Sequence, residues 1–152
     1  VFRGVNNINM DVKGRVALPT RFRELVHDCC AGHLVVTIDM DQKCLSIYPI
    51  AEWETIERQI SDLSSLDPLA LRMKRLLIGH ATDVDLDASD RLLIPPPLRQ
   101  YAELEKKTVL IGLGKKLELW NESAWEAGRE TWLDSGTGSN SEHSEKISSI
   151  SF

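Results

Sequence analysis

No apolar run in the 152-residue sequence approaches the roughly 18 residues that a membrane-spanning helix needs, which excludes such a helix. The opening Val1-Phe2-Arg3-Gly4 lacks a secretory apolar stretch of about 7 to 15 residues and any lipidation pattern, so a cytoplasmic chain without a membrane partner is expected. Glycine (9) and proline (6) are too few for collagen-like or low-complexity architecture. Cysteine is scarce, and Cys29, Cys30 and Cys44 form no disulfide framework, so they read as free thiols. No Ser-His-Asp or Cys-His-Asn arrangement is present, and carboxylates such as Asp39 and Asp41 fall in turns where solvent leaves them ordinary. Neither an enzyme, a cofactor nor a small-molecule substrate is expected. Cations are short as well, with a net charge of -5, which argues against nucleic acid only if charge is evenly spread.

It is not evenly spread. Residues 1 to 25 hold Arg3, Lys13, Arg15, Arg21 and Arg23 against Asp11 and Glu24. The organising feature is an internal repeat. Asp11-Val-Lys-Gly-Arg15-Val-Ala-Leu-Pro19-Thr-Arg-Phe22-Arg23 aligns on Asp87-Ala-Ser-Asp-Arg91-Leu-Leu-Ile-Pro95-Pro-Pro-Leu98-Arg99 at an offset of 76. Further on, Lys43-Cys-Leu45-Ser-Ile47-Tyr48 aligns on Lys115-Lys-Leu117-Glu-Leu119-Trp120 at an offset of 72.

Each copy reads as strand, strand, helix, strand, strand. Ile8 and Met10, or Val84 and Leu86, alternate as in a half-buried strand, and Val16-Ala-Leu18 and Leu92-Leu-Ile94 make a second. The proline that follows suits the first position of a short helix, because its missing N–H costs nothing there. Leu34–Ile38 and Val109–Ile111 form the third strand, Leu45–Tyr48 and Leu117–Trp120 the fourth. The turns between them are Asp39–Lys43 and Gly112–Lys115. Helical spacing follows at Trp53, Ile56, Ile60 and Leu63, and at Trp125 and Trp132. Asp67-Pro68 opens a further helix that ends at Gly79. The expected organisation is a first repeat at 5–51, a helical linker at 52–80, a second repeat at 81–124 and a helix at 125–133. A Ser/Gly-rich tail at 134–152, disordered or loosely helical, has no core role. A unit of about 45 residues buries too little to fold alone, so the copies are expected to pack around a pseudo-two-fold axis, and their short strands leave edges that favour a homo-oligomer.

Asp11 and Asp87 are placed to bond the N–H groups ahead of them and close a tight loop, with Gly14 or Asp90 where a left-handed residue is tolerated. A purely structural Asp-to-Arg bridge explains either copy taken alone. The basic neighbours favour phosphate contact for the first loop, whereas Asp83, Asp85, Asp87 and Asp90 around Arg91 mark the second as structural scaffold. Over residues 1 to 133 the sequence closely resembles the MraZ family of bacterial transcriptional regulators, whose repeats are of the AbrB-like swapped-hairpin class. Phe2-Arg3-Gly4, the two Asp-x-x-x-Arg turns, Tyr48-Pro49, Glu52-Trp53 and Arg75-Leu-Leu-Ile-Gly-His80-Ala81 carry the resemblance. It implies an α+β fold of two pseudo-symmetric swapped-hairpin repeats around a small β-barrel-like core with flanking helices. It further implies a sequence-specific, nucleoid-associated repressor of its own operon in the division and cell-wall gene cluster, a ring-like homo-oligomer that binds repeated sites on double-stranded DNA. Arg15 is then the expected DNA contact, with Lys13 and Arg3 beside it and Asp11 shaping the loop.

Three other features compete. His27-Asp-Cys29-Cys30-Ala-Gly-His33 offers metal ligands, but all in one helix end rather than two separated pairs, so no metal is expected. Gly112-Leu-Gly114 lacks the third glycine and following helix of a phosphate loop and reads as a hairpin turn. A helix-turn-helix over Trp53 to Ile78 would use Arg72, Lys74 and Arg75, but these crowd the last turns instead of the N-terminal part that reads bases. A protein-binding oligomeric scaffold would suit the acidity and leave the N-terminal cations unexplained.

Overall fold

The computed structural model describes residues 1–135 and 144–152. Among the described residues, eight strands and six α-helices form a mixed α+β fold: β1 Phe2–Asn9, β2 Arg15–Ala17, α1 Thr20–Cys30, β3 His33–Ile38, β4 Leu45–Pro49, α2 Ile50–Ser61, α3 Pro68–Met73, β5 Thr82–Asp85, β6 Arg91–Leu93, α4 Pro96–Tyr101, β7 Lys107–Gly114, β8 Leu117–Asn121, α5 Glu122–Asp134 and α6 Ser144–Ser148. A five-residue π-helical stretch, Lys74–Ile78, continues α3.

The repeats interdigitate. Six strands make one antiparallel sheet in the order β1-β7-β8-β4-β3-β5, so the first strand of each repeat pairs with the third strand of a hairpin: β1 with β7 of the other repeat, β5 with β3 of the other repeat. The registers obey the internal symmetry. Ile8 faces Thr108 as Val84 faces Leu34, and Leu45 faces Leu119 as Ile47 faces Leu117, around the central pair Ser46 and Glu118. The remaining strands form a separate ribbon in which Val16 faces Leu92 at the centre, with Arg15 opposite Leu93 and Ala17 opposite Arg91. Both central pairs join equivalent positions of the two repeats, which places the pseudo-two-fold axis through them.

The expected barrel-like closure is not found among the described residues. β1 and β5 stand at opposite ends of the sheet order, and the β2–β6 ribbon pairs only with itself. The ribbon instead lids one face of the sheet. Val16 and Leu92 point inward with Phe22 and Val26 of α1, Leu98 of α4 and Ala102 just after it, onto Leu34, Val36, Leu45, Ile47, Leu110, Leu117 and Leu119. At about 25 cal/mol per Å2 of apolar surface removed from water, this shared core is the main stabilising term, and neither repeat owns it alone.

On the opposite face, α5 packs Trp125 and Ala124 over Cys44, Val109, Ile111 and Trp120. The Leu77 carbonyl, in the π-helical stretch, accepts a 2.7 Å bond from the buried Thr37 hydroxyl of β3.

Three local expectations shift. Pro19 and Pro95 sit at the N-cap with extended ψ of 146° and 143°, not inside the first turn, since the cap's N–H is equally unused by the helix. Asp67 caps α3 by accepting from Leu69 N–H at 2.9 Å, yet regular α-helix lasts only six residues there, and Gly79 ends the π-helical stretch with a right-handed φ of -61°. Gly112 is a strand residue paired with Gly4, because the backbone of Phe2 and Arg3 passes where a Cβ would stand. Of the Ser/Gly-rich tail, Ser144–Ser148 is a single helical turn whose Glu145, Lys146 and Ile147 are exposed, and residues 136–143 lie outside the described residues. Among the described residues no helix is long and apolar enough to cross a membrane.

Candidate nucleic-acid interface

Between β1 and β2 the chain reverses in a four-residue turn, Asp11 to Gly14. Asp11 N–H donates to the Arg15 carbonyl and Gly14 N–H to the Asp11 carbonyl, both at 3.0 Å. The Asp11 Oδ1 accepts from the backbone N–H groups of Lys13 (3.0 Å) and Arg15 (2.9 Å), while Oδ2 accepts from Arg15 Nε at 2.8 Å. The Arg15 backbone bond first, then its side chain and charge, hold the Asp11 carboxyl below its ordinary pKa. Gly14 closes the turn at φ +88°, a left-handed value that favours glycine.

The second loop repeats the bonds made by backbone N–H groups. Asp87 N–H meets the Arg91 carbonyl and Asp90 N–H the Asp87 carbonyl at 3.0 Å. Asp87 Oδ1 accepts from Ser89 and Arg91 N–H at 2.8 and 2.9 Å, and these bonds likewise hold that carboxyl low. The left-handed position is Asp90, at φ 59°. Arg91 Nε stands 3.3 Å from Asp87 Oδ2 as an ion pair, without an aligned hydrogen bond.

The ribbon brings the loops together. Residues directly opposite in an antiparallel pair share a face, so Arg15, Ala17, Arg91 and Leu93 all lie on the side away from the buried Val16 and Leu92. The arginines approach one another through Asp11, whose Oδ2 is also 3.8 Å from Arg91 Nη1. Loop carbonyls tie the ends symmetrically, Gly14 O accepting from Ile94 N–H at 2.9 Å and Asp90 O from Leu18 N–H at 3.2 Å. Arg15 is left with its terminal amines unbonded among the described residues, and Lys13 is exposed at the loop tip beside the fully exposed Val12.

Each loop is held from behind by a helix of the other repeat. Arg23 of α1 lies 3.7 Å from Asp90, and His27 Nε2 is 2.6 Å from the same carboxylate. Arg99 of α4 lies over loop 1, its guanidinium where a Cβ on Gly14 would stand. Sequence reading assigned Arg23 to the first loop's cationic patch, took His27 only as a candidate metal ligand and Arg99 only as a repeat position, and gave neither a bracing role. The signal was there, since Arg23 and Arg99 occupy matching places in the two repeats. Arg3 is not brought to the loop: it sits at the far end of β1, eight residues from Asp11, about 26 Å at the rise of an extended strand.

The competing features separate in space. His27 is bound to Asp90, and His33 Nδ1 is 2.6 Å from Asp85, so the two histidines face different carboxylates. Lys74 Nζ donates to the Leu63 carbonyl at 2.6 Å and to Ser65 Oγ at 2.8 Å, tying down the bend before α3. Asp39, Cys44 and Glu118 do converge, but burial, then the two carboxylates, push the Cys44 thiol up and keep it protonated. The Lys116 ammonium already lies 3.5 Å from Glu118.

Fold and site together define a two-repeat α+β protein that presents paired Asp-x-x-x-Arg loops on a narrow ribbon. A family model described as "MraZ protein, putative antitoxin-like" matches residues 1–76 and again 77–137. The chain is 49% identical over 150 residues to "Transcriptional regulator MraZ" of Halorhodospira halophila, covering 99% of each chain. It is 53% identical over 133 residues to the protein of that name from Coxiella burnetii, covering 88% of each, and 52% over 126 residues to that of Shewanella frigidimarina, covering 83% of each. The chain belongs to the MraZ family.

Proposed function

We propose that this protein is a DNA-binding transcriptional regulator that reads double-stranded operator DNA with the outer face of the β2–β6 ribbon. The observation that carries the reading is the side-by-side placement of Arg15 and Arg91 on that face, each braced by an aspartate. A two-stranded ribbon fits the major groove, about 12 Å wide, and a guanidinium braced through Nε keeps its terminal amines for guanine O6 and N7. Lys13, exposed at the tip, meets phosphate. Arg15 is the principal contact and Arg91 the lesser one, since loop 2 has no basic spacer. Arg3, at the other end of β1, serves a neighbouring loop only through assembly.

The finer reading is a ring-like homo-oligomer in the cytoplasm, associated with the nucleoid, that represses its own operon in the division and cell-wall gene cluster through repeated operator sites. The outer edges of β1 and β5, unpaired among the described residues, support assembly. Several loop pairs engaging spaced repeats raise avidity by about 100-fold or more, which offsets the net charge of -5. The names of the relatives agree with a regulator and with no enzymatic role.

A gel shift on the DNA upstream of the protein's own gene, with scrambled DNA beside it, tests the reading. Arg15→Ala is expected to lose binding while remaining assembled. If an Arg72→Ala, Lys74→Ala, Arg75→Ala triple variant loses binding instead and Arg15→Ala binds normally, the helix-turn-helix takes the ribbon's place.

A further inference from the structure

The last turn of α1 holds a feature that DNA binding does not use. Successive residues on a helix diverge by about 100°, so adjacent side chains ordinarily point apart. Here Cys29 Sγ and Cys30 Sγ are 3.2 Å from each other, because both turn back toward the Val26 carbonyl, which lies 3.1 Å from Cys30 Sγ and 3.8 Å from Cys29 Sγ. Cys29 is exposed and Cys30 half-buried, so a ligand can reach the pair. Beside it opens a cavity of about 340 Å3, lined by Cys29 itself and mainly by apolar groups, Phe2, Leu25, Pro49 and Ala51 among them, with Glu52 and Lys115 also on its wall.

What such a pair can bind follows from what surrounds it. A disulfide between neighbours is strained, since adjacent Cα atoms lie about 3.8 Å apart, short of the roughly 4.4 to 6.8 Å that the bond spans. A structural zinc ion requires four protein ligands, and the two histidines flanking the pair in sequence are engaged, His27 with Asp90 and His33 with Asp85. Two thiols therefore suit a soft centre that takes two sulfurs and brings its own third substituent. Burial and the Cys30 thiol push Cys29 up to about 11, so the sulfur is presented as a neutral thiol.

We propose that Cys29 and Cys30 form a dithiol site for a trivalent organoarsenical, with the arsenic bridging the two sulfurs and its organic group in the adjoining apolar cavity. The step is a condensation without redox change. Two S–H bonds and the arsenic–oxygen bond break, two As–S bonds form, and both protons leave with the oxygen as one water. Cys44, buried on the other side of the sheet, takes no part.

Phenylarsine oxide added to the whole protein is the test, read by intact mass. The site predicts one phenylarsenic per chain, removed by dithiothreitol but resistant to excess 2-mercaptoethanol. Cys29→Ser and Cys30→Ser should each abolish the adduct, and Cys44→Ser should keep it. Methylarsine oxide, which has little to place in the cavity, should bind at least tenfold more weakly, and Ala51→Trp should narrow that ratio. An adduct that survives Cys29→Ser, or no adduct on the unaltered chain, overturns the dithiol; equal binding of the phenyl and methyl compounds overturns the cavity's part in it.

Discussion

Loop 1 (Asp11–Arg15) and loop 2 (Asp87–Arg91) close with the same backbone bonds, but different residues fill their left-handed positions, and the rest of their chemistry follows from that. Gly14 leaves room for the Arg99 guanidinium to lie on the loop, while Asp90 adds a carboxylate that recruits Arg23 and His27. Loop 1 is left with a lysine at its tip and an arginine bonded through Nε at 2.8 Å; loop 2 has serine at the matching place and an arginine that leans across toward Asp11. A duplicated turn has kept its geometry and divided its charge. One copy faces outward with a net cationic tip, and the other spends its extra charge on the helix behind it.

The largest effect should come from the point the loops share. Leu92→Ala removes a fully buried side chain beneath the ribbon and should cost about 2 to 5 kcal/mol in urea unfolding, loosening both loops alike. If amide exchange then rises in only one loop, the ribbon does not couple them. Next, Arg15→Ala should weaken operator binding by about 1 to 3 kcal/mol per engaged site and relax base preference. Arg91→Ala should cost less, and equal losses in a binding titration would make the loops equivalent readers. Gly14→Ala forces a side chain into φ +88° and displaces Arg99, an expected loss of about 1 to 2 kcal/mol by thermal unfolding. Lys13→Ala should weaken every sequence alike and flatten the salt dependence by about one unit per contact, and Ser89→Lys should restore that unit from loop 2.

Acid should act on both loops. A carboxyl whose folded pKa lies below its free value stabilises the fold above the free value, and that contribution is lost as pH falls through the folded one. Asp11 and Asp87 are both held low by the N–H groups they bond, so the loops should stay closed until pH drops below the ordinary carboxylate range. Amide exchange at Lys13 and Ser89 should rise there together, and Asp11→Asn should remove the response from loop 1 alone.

Much of this arrangement was legible in the sequence because a repeat states its own symmetry. The offsets of 76 and 72 predicted equivalent elements, and the registers place Val16 against Leu92 and Ser46 against Glu118 accordingly. Periodicity gave the helices their positions. It could not give the crossing of β1 to β7 or the openness of the sheet, since strand order depends on which edge is free once the core has formed. The extent of β1 was hidden too, because an edge strand with Gly4, Asn6, Asn7 and Asn9 carries little apolar alternation. At the site, an Asp-x-x-x-Arg loop can be read from local bonding rules, but the Arg99 and Arg23 braces are contacts between repeats, marked in the sequence only by their matching places in the two copies.

The sheet order also sets a timetable for synthesis. Of the described strands β1 leaves the ribosome first, and among the described residues it pairs only with β7, whose last residue, Gly114, is 105 positions after the end of β1 at Asn9. At about 5 to 20 residues per second, about 5 to 20 s pass before its partner exists. Through that interval the nascent chain carries an unpaired strand and half of a core, and a truncated message cannot yield a working half-protein. Completion of the second repeat is the event that folds the first.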